Sequence, residues 1–209
     1  EIAVQANVFT RQGTERIIRF AFEQARSRRQ HLTSVTKSNA LAHSMVFWDD
    51  VFRMVAREYP DVTTASMLVD AACMNFVRRP EAFDVVVASN LFGDILTDLS
   101  AAVVGGMGLA PAANLNPTRK FPSMFEPVHG SAPDIAGKGI ANPTGLILSA
   151  AMLLSWLGGE RGDPAVEKAG QAIERAAAAA LATGPRTPDL DGTASTSEFS
   201  EAILKNLTA

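Results

Sequence analysis

The sequence predicts an α/β fold with a mostly parallel sheet, because segments with the composition of strands alternate with segments of helical periodicity. The clearest example is the stretch at 83–98, FDVVVASNLFGDILTD, in which an apolar run at 85–88 leads directly into a helical pattern. Runs of β-branched residues are typical of a strand covered on both faces. Two carboxylates, Asp94 and Asp98, follow the carboxyl end of this strand, which is where open α/β sheets bind their ligands.

The first half of the chain repeats this alternation. Residues 1–11 alternate apolar and polar side chains, as a half-exposed strand or an extended arm does. The run at 85–88 is expected to be the central strand. In the helix after it, Leu91, Ile95 and Leu99 recur at every fourth position, so this face is predicted to pack inward. The other predicted elements are helices at 13–28, 44–58 and 67–78 and short strands at 31–36 and 62–66.

The second half begins with a change of composition. The glycine-rich segment at 105–108 and Pro111 predict a flexible passage that separates two domains, at 1–104 and 105–209. Asn142 is the predicted N-cap of a helix at 143–157, and Ser195 and Glu198 form a capping box for the last helix. The remaining predicted elements are short strands at 112–116 and 123–125 and an Ala-rich helix from 164 to about 182.

Composition restricts the classes of function. The 209 residues carry a net charge of −3, which argues against a broad nucleic-acid interface. The single cysteine, Cys73, excludes a disulfide within the chain and fits a reducing cytoplasm. The longest apolar run, at 145–157, is shorter than the roughly 20 residues that span a bilayer, so we expect a core helix and no membrane segment. The chain starts at Glu1, in the middle of a pattern, which suggests a fragment or a processed chain.

The first candidate site is the pair of carboxylates Asp94 and Asp98. Residues four apart lie together on one face of a helix, and two such carboxylates repel each other unless a cation sits between them. A divalent cation that prefers oxygen ligands, Mg²⁺ or Mn²⁺, would remove the repulsion. The alternative is a solvated helix face with no ligand.

The second candidate site is the long loop at 126–142. It contains His129, Asp134 and several glycines, a composition that suits close approach of the backbone to a ligand. The loop ends at a helix N-terminus, where free N–H groups can bind an anion such as a phosphate. The alternative is an irregular turn that only stabilises the fold. No GxGxxG follows a strand, so an ordinary Rossmann site is not predicted.

Two long motifs carry a family resemblance. SNLFGDILTDL at 89–99 and FEPVHGSAPDIAGKGIANP at 125–143 closely resemble the metal-dependent β-decarboxylating hydroxyacid dehydrogenases, the family of isopropylmalate, isocitrate and tartrate dehydrogenases. KSN at 37–39, the helix around Asp70 and GPRTPDLDG at 184–192 extend the match. The resemblance implies the two-domain sheet architecture of that family without its amino-terminal part. Residues 1–104 would form most of the central dimerising domain, and 105–209 the returning half of the cofactor domain.

The resemblance also implies a metal centre shared by two subunits. Asp94 and Asp98 would bind Mg²⁺ or Mn²⁺ in their own subunit, and Asp70 would reach the metal from the partner subunit. Lys37, also contributed across the dimer, would accept the proton of the substrate hydroxyl, and Asn39 would orient the substrate or the nicotinamide. A homodimer with shared active sites follows from these roles.

The cofactor implied by the resemblance is NAD. Glu126 would lie near the nicotinamide, Asp134 would bind the adenosine ribose and Asn142 would contact the adenine. A carboxylate at the ribose accepts hydrogen bonds from a 2′-hydroxyl and repels a 2′-phosphate, which favours NAD over NADP. The other residues implied to line the cofactor path are His129, Gly130, Ser131, Ala132 and Ile135.

These roles imply an enzyme that oxidises a small hydroxy-dicarboxylate with NAD and then releases CO₂. Within the family the motifs are most similar to those of tartrate dehydrogenase/decarboxylases, so tartrate or D-malate is the expected type of substrate. One alternative is 3-isopropylmalate. Another is an inactive dimeric fragment, because the substrate-binding arginines and catalytic tyrosine of the family have no counterpart in this sequence; Tyr59 is its only tyrosine.

Overall fold

The computed structural model describes residues 1–208. The chain divides into two compact units, which we call unit 1 (Glu1–Ser100) and unit 2 (Ala101–Ala209). The elements that begin in unit 1 are α1 (Arg11–Arg26), β1 (His31–Thr36), α2 (Ser44–Ala56), β2 (Thr63–Leu68), α3 (Val69–Arg78), β3 (Val85–Val87) and α4 (Asn90–Val103). Those of unit 2 are β4 (Pro111–Asn114), β5 (Met124–Pro127), α5 (Thr144–Arg161), α6 (Pro164–Thr183) and α7 (Thr196–Thr208).

The sheet of unit 1 is parallel, as the alternation of strands and helices predicts, with the strand order β2-β1-β3. The prediction that the run at 85–88 is the central strand is wrong. Val85 and Val86 are only half-buried, because β3 is an edge strand of this sheet, whereas β1 is buried from Leu32 to Thr36. The register aligns Thr36 with Leu68, so β1 and β2 end at the same level.

The core of unit 1 lies on both faces of this sheet. One face is covered by α1 and α2, where Phe22 stacks on Tyr59 with ring centroids 4.6 Å apart, and Trp48 donates a hydrogen bond to Ser34. The other face is covered by α3 and α4 through Ala72 and Leu96. Parallel strands need helices on both faces, which explains why β1 carries small and branched residues throughout.

The amino-terminal segment is an exposed arm and not a strand. Residues 1–10 form no regular secondary structure, and Ile2, Val4 and Val8 are exposed. Helix α1 begins at Arg11 with Thr10 as its N-cap, whose hydroxyl accepts a hydrogen bond from Gly13 N–H. An alternating pattern produces a strand only where a neighbouring strand completes its hydrogen bonds, and no strand among the described residues pairs with this segment.

Helix α4 buries a different face from the predicted one. Leu91 and Ile95 are 61% and 48% exposed, whereas Phe92 and Leu96 are buried. Both sets recur at intervals of four, so the helix has two adjacent apolar faces and periodicity does not distinguish between them. The outward face of Leu91 and Ile95 remains uncovered in the single chain.

Unit 2 packs three helices beside a small antiparallel sheet of β4 and β5. Helices α5 and α6 approach closely at Gly158 and Gly170, where a Cβ atom would lie 2.4 Å from its nearest neighbour. Phe199 of α7 completes an alanine-rich core with α6. The predicted capping box is confirmed: Ser195 N–H donates to Glu198 Oε2 at 2.8 Å, and Glu198 N–H donates to Ser195 Oγ at 3.2 Å.

The start of helix α5 and the length of the helices differ in what they confirm. Helix α5 begins at Thr144, one residue later than predicted, because Pro143 is its N-cap, although Asn142 Oδ1 still accepts a hydrogen bond from Thr144 N–H at 3.0 Å. Across residues 1–208, no helix combines the length and the hydropathy that crossing a bilayer requires.

Candidate functional site

The carboxyl edge of the unit 1 sheet brings Lys37 and Asp70 together. Lys37 directly follows β1, and Asp70 lies in the first turn of α3, which directly follows β2. Because these parallel strands end at the same level, Lys37 Nζ lies 2.9 Å from Asp70 Oδ1 and donates a hydrogen bond to it. The side chain of Lys37 is 26% exposed and that of Asp70 is 64% exposed. Asp70 is therefore open to a further ligand, while Lys37 is mostly covered.

The electrostatics of this pair favour an ionised carboxylate. The ammonium of Lys37 lowers the pKa of Asp70 below its ordinary value, and the backbone N–H groups at the start of α3 add to the effect. The first turn of a helix stabilises negative charge in the same direction. Asn39 is exposed in the turn after Lys37, where Leu41 N–H donates to the Lys37 carbonyl oxygen at 2.9 Å.

Asp94 and Asp98 lie on consecutive turns of α4, and both are exposed. Neither carboxylate forms an ion pair with a residue in the described part of the chain. Their oxygens are the ligand type that Mg²⁺ and Mn²⁺ prefer, so the pair fits such an ion. Within residues 1–208, however, no three metal-ligating side chains cluster, so the fold does not bring Asp70 to Asp94 and Asp98 in one chain.

Unit 2 contains a cavity of about 570 Å³ at the loop that the sequence singles out. Small-molecule sites commonly have volumes of about 300–1,000 Å³. The sequence-predicted cofactor residues that line it are His129, Gly130, Ser131, Ala132, Ile135 and Asn142. Glu126 and Asp134 are not among the lining residues: Glu126 lies on β5, where Asn114 Nδ2 donates to it at 3.3 Å, and Asp134 lies in a short 3-10 helix beside the cavity.

The backbone explains why this loop is rich in glycine and small residues. Gly137 and Gly139 have φ angles of 73° and 65°, in the left-handed region that side chains disfavour. Ala132 adopts a φ of 43° directly before the 3-10 helix of Asp134. A non-glycine residue in this region marks a conformation held by its surroundings, which is common in ligand-binding segments.

Three cavity residues lie outside the predicted loop and were not predicted from the sequence: Gly108, Pro188 and Asp189. Asp189 lines the cavity and accepts hydrogen bonds from Asn142 Nδ2 at 3.0 Å and from Thr187 Oγ1 at 2.5 Å. Gly108 lines it as well, although its segment suggested only a flexible passage. Asp189 belongs to the motif at 184–192, which contributed to the family resemblance. The motif by itself does not indicate which of its residues faces a ligand.

Comparisons with known proteins agree with these features. The family model for isocitrate/isopropylmalate dehydrogenase matches residues 1–203. The chain is 51% identical over 207 residues to a probable tartrate dehydrogenase/decarboxylase of Bacillus subtilis (strain 168), covering 99% of this chain and 56% of that protein. It is 53% identical over 206 residues to the D-malate dehydrogenase (decarboxylating) of Escherichia coli (strain K12), covering 98% of this chain and 56% of that protein.

A solved structure supports the same assignment. The isocitrate dehydrogenase of Methylococcus capsulatus superimposes with a TM-score of 0.88 at 42% identity, over 98% of this chain and 58% of that chain. The chain thus spans a little more than half the length of the relatives it matches. The predicted resemblance and the predicted partial architecture are confirmed, and the chain belongs to the isocitrate/isopropylmalate dehydrogenase family.

Proposed function

We propose that the protein is an NAD- and Mg²⁺- or Mn²⁺-dependent dehydrogenase that oxidises, and oxidatively decarboxylates, tartrate or D-malate-type hydroxyacids. The observation that carries this proposal is the contact of Lys37 with Asp70 at the carboxyl edge of the sheet, which joins a candidate base to a candidate metal ligand. The relatives with about half of their residues identical are named as tartrate and D-malate enzymes, which supports this type of substrate.

The metal would be held by residues of two copies of the chain. Asp94 and Asp98 supply two carboxylates from one copy, and Asp70 of a second copy supplies another, since the single chain keeps Asp70 apart from that pair. When bound, the divalent ion supplies Lewis-acid chemistry at the oxygens of the substrate. The ionised state of Asp70, which Lys37 favours, suits this role.

Lys37 would accept the proton of the substrate hydroxyl. Its hydrogen bond to Asp70 holds the ammonium group in one position at the strand end, and its partial burial limits access of water. Asn39, exposed in the adjoining turn, would orient the substrate or the nicotinamide.

The cavity of unit 2 would bind the adenosine part of NAD. When bound, NAD supplies the hydride acceptor of the reaction. His129 and the small residues after it leave the backbone accessible to the phosphates. Asp134, beside the cavity, would accept hydrogen bonds from the ribose hydroxyls and repel a 2′-phosphate. Glu126, on β5, would lie toward the nicotinamide.

A homodimer would complete the site and cover the exposed apolar face of unit 1. Helices α3 and α4 pack on the same face of the sheet, and their outward sides expose Met74, Val77, Leu91 and Ile95 by 48–61%. Large apolar side chains exposed on two helices of one layer are typical of an interface. We expect sedimentation equilibrium to show a dimer for the wild type and a monomer for Ile95→Glu; a monomeric wild type would contradict the shared site.

The activity test is NADH formation with Mn²⁺ and three substrates: tartrate, D-malate and 3-isopropylmalate. We expect turnover of tartrate or D-malate, and a loss of about 10²–10⁴-fold in kcat for Lys37→Met, the range for general-base catalysis. Lys120→Met, which removes an exposed lysine of the β4–β5 connection, is the matched control. Preference for 3-isopropylmalate would favour the alternative substrate. No turnover with any of the three would favour the alternative of an inactive dimeric fragment.

A further inference from the structure

We propose that unit 2 contains a second ligand site, for a small aromatic anion, at the end of the β4–β5 sheet away from the proposed cofactor cavity. The site is a cavity of about 490 Å³ between the β4–β5 connection and helix α5. Because β4 and β5 are antiparallel, their connection lies at one end of the pair, and the segments that flank the pair lie at the other. The two cavities share no lining residue, so the inference is independent of the proposed function.

One face of α5 forms a wall of this second cavity. Its lining residues on the helix recur at intervals of three or four, which places them along one side: Leu153, Trp156, Leu157 and Glu160. The wall is apolar for most of its length and becomes charged at the carboxyl end of the helix. The indole N–H of Trp156 makes no hydrogen bond within residues 1–208, so this donor remains available to a ligand.

The lining carries an excess of positive charge. Three of its side chains are cationic and one, Glu160, is a carboxylate. Arg119 pairs with that carboxylate through Nε, and its Nη2 donates to the Glu160 carbonyl oxygen at 2.6 Å. Arg161, the last residue of α5, forms no ion pair within residues 1–208. The lining therefore offers unpaired positive charge and no unpaired negative charge, which attracts an anion.

Hydrogen bonds fix the shape of the β4–β5 connection. Asn116 N–H donates to Ser123 Oγ at 2.9 Å, and Asn116 Nδ2 donates to the Phe121 carbonyl oxygen at 3.2 Å, which closes 116–123 into a loop. The contacts of Arg119 with Glu160 fasten this loop to α5. A cavity between a fastened loop and a helix is largely formed before a ligand arrives, as small-molecule sites usually are.

The lining side chains specify the class of ligand. Phe121, Phe125 and Trp156 supply aromatic surface, and Phe121 is 74% exposed. Aromatic rings pack favourably against other flat rings. The planar guanidinium of Arg161 matches the geometry of a carboxylate or a phosphate. A flat aromatic ring that carries either anionic group therefore satisfies both the aromatic and the cationic part of the lining.

The experiment adds 2-naphthoate to the full chain and follows the indole N–H signals of the two tryptophans by ¹H–¹⁵N NMR. Trp156 lines the cavity, whereas Trp48 is buried in unit 1 with its N–H donating to Ser34. Trp156→Phe assigns the two signals. We expect the Trp156 signal to shift to saturation and the Trp48 signal to stay in place. The uncharged analogue 2-naphthalenemethanol should bind about fivefold more weakly, the upper value for an ion pair open to water.

Arg161→Gln tests the charged part of the site. It should weaken 2-naphthoate binding by about fivefold, for the same reason as the uncharged analogue. The matched control is Arg175→Gln, an exposed arginine of α6 that does not line the cavity. An unchanged Trp48 signal shows that each variant is folded. A parallel titration with 1-naphthyl phosphate identifies which anionic group binds more tightly, and either preference supports the aromatic-anion class.

Three kinds of result would overturn the inference. A Trp48 shift as large as that of Trp156, or no shift of either signal, would show that 2-naphthoate does not bind in this cavity. Equal affinity for the uncharged analogue, or equal losses in Arg161→Gln and Arg175→Gln, would remove the role of charge. Displacement of 2-naphthoate by AMP would place it in the proposed cofactor cavity instead. These readouts require no turnover, so their failure is distinguishable from a failure of the proposed function.

Discussion

Replacing Asp84 should destabilise unit 1 in a pH-dependent way. This carboxylate precedes β3, and its side chain is only 2% exposed. It accepts hydrogen bonds from Arg29 N–H at 2.9 Å and from Arg28 Nε at 3.0 Å, and a longer one from His31 N–H at 3.4 Å. Asp84 therefore ties the start of β3 to the turn between α1 and β1.

The magnitude follows from these partners. Asp84→Ala removes the charged acceptor of the Arg29 N–H, and a hydrogen bond to a charged group contributes about 1.5–3 kcal/mol. The guanidinium groups of Arg28 and Arg29 are 59% and 62% exposed, so water replaces the carboxylate there and each ion pair contributes at most about 1 kcal/mol. We expect a total loss of about 2–4 kcal/mol for Asp84→Ala and about half of that for Asp84→Asn, which keeps one acceptor oxygen.

The sign of the pH dependence follows from the pKa. Burial by itself raises the pKa of Asp84, but the hydrogen bonds from Arg28 and from the backbone N–H groups of His31 and Arg29 outweigh it, so the net pKa is lowered. A carboxylate with a lowered pKa in the folded state stabilises the fold above its unfolded pKa of about 3.9 and loses this effect as the pH falls through its folded pKa.

Urea denaturation at several pH values tests this reasoning. The free energy of unfolding should differ between wild type and Asp84→Asn by a constant amount from pH 7 to about pH 5, and the difference should shrink below about pH 4 as Asp84 becomes protonated. The control is Asp50→Asn, an exposed carboxylate on α2 whose ion pair with Arg53 should contribute less than about 0.5 kcal/mol. Equal stability of Asp84→Asn and wild type at pH 7, or a difference that persists unchanged in acid, would refute the reasoning.

Three other predictions concern packing, cofactor choice and metal binding. Gly158→Ala should lower the free energy of unfolding by about 1–3 kcal/mol, because its Cβ would lie 2.4 Å from Glu167 N. Gly159→Ala is the control and should be neutral or stabilising, because a Cβ there would have no neighbour within 4 Å. Thermal unfolding compares the two variants. Asp134→Ser should raise the ratio of kcat/KM for NADP to that for NAD by about tenfold, because it removes the charge that repels a 2′-phosphate. Asp94→Asn and Asp98→Asn should each weaken Mn²⁺ binding, measured by electron paramagnetic resonance, by about tenfold or more.

Each of these predictions has a contradicting result. Equal destabilisation by the two adjacent glycine substitutions would show that the close contact of α5 with α6 is not what limits the size of the residue. An unchanged cofactor ratio in Asp134→Ser would place the 2′-position of the ribose elsewhere. Mn²⁺ affinity that survives both asparagine substitutions would exclude α4 as the source of metal ligands.

The sequence by itself determined the class of fold and most of its elements. Alternation of strand and helix patterns predicted the parallel sheet of unit 1, and local rules predicted the capping box of Ser195 and Glu198, because both depend on residues close together in the chain. The motifs at 89–99 and 125–143 determined the family, since long ordered motifs specify a fold independently of periodicity.

Only the tertiary structure decided which apolar face is buried and which polar groups meet. Leu91 and Phe92 both belong to four-residue patterns. The face of Phe92 and Leu96 is buried because Leu96 packs with Val35 and Ala72 and Phe92 packs into the core of α1 and α2. The contact of Asn142 with Asp189 joins residues 47 apart, and that of Lys37 with Asp70 depends on strand register. Such contacts follow from long-range packing, which periodicity and local propensity do not encode, and for that reason the cavity residue Asp189 could be found only in the folded chain.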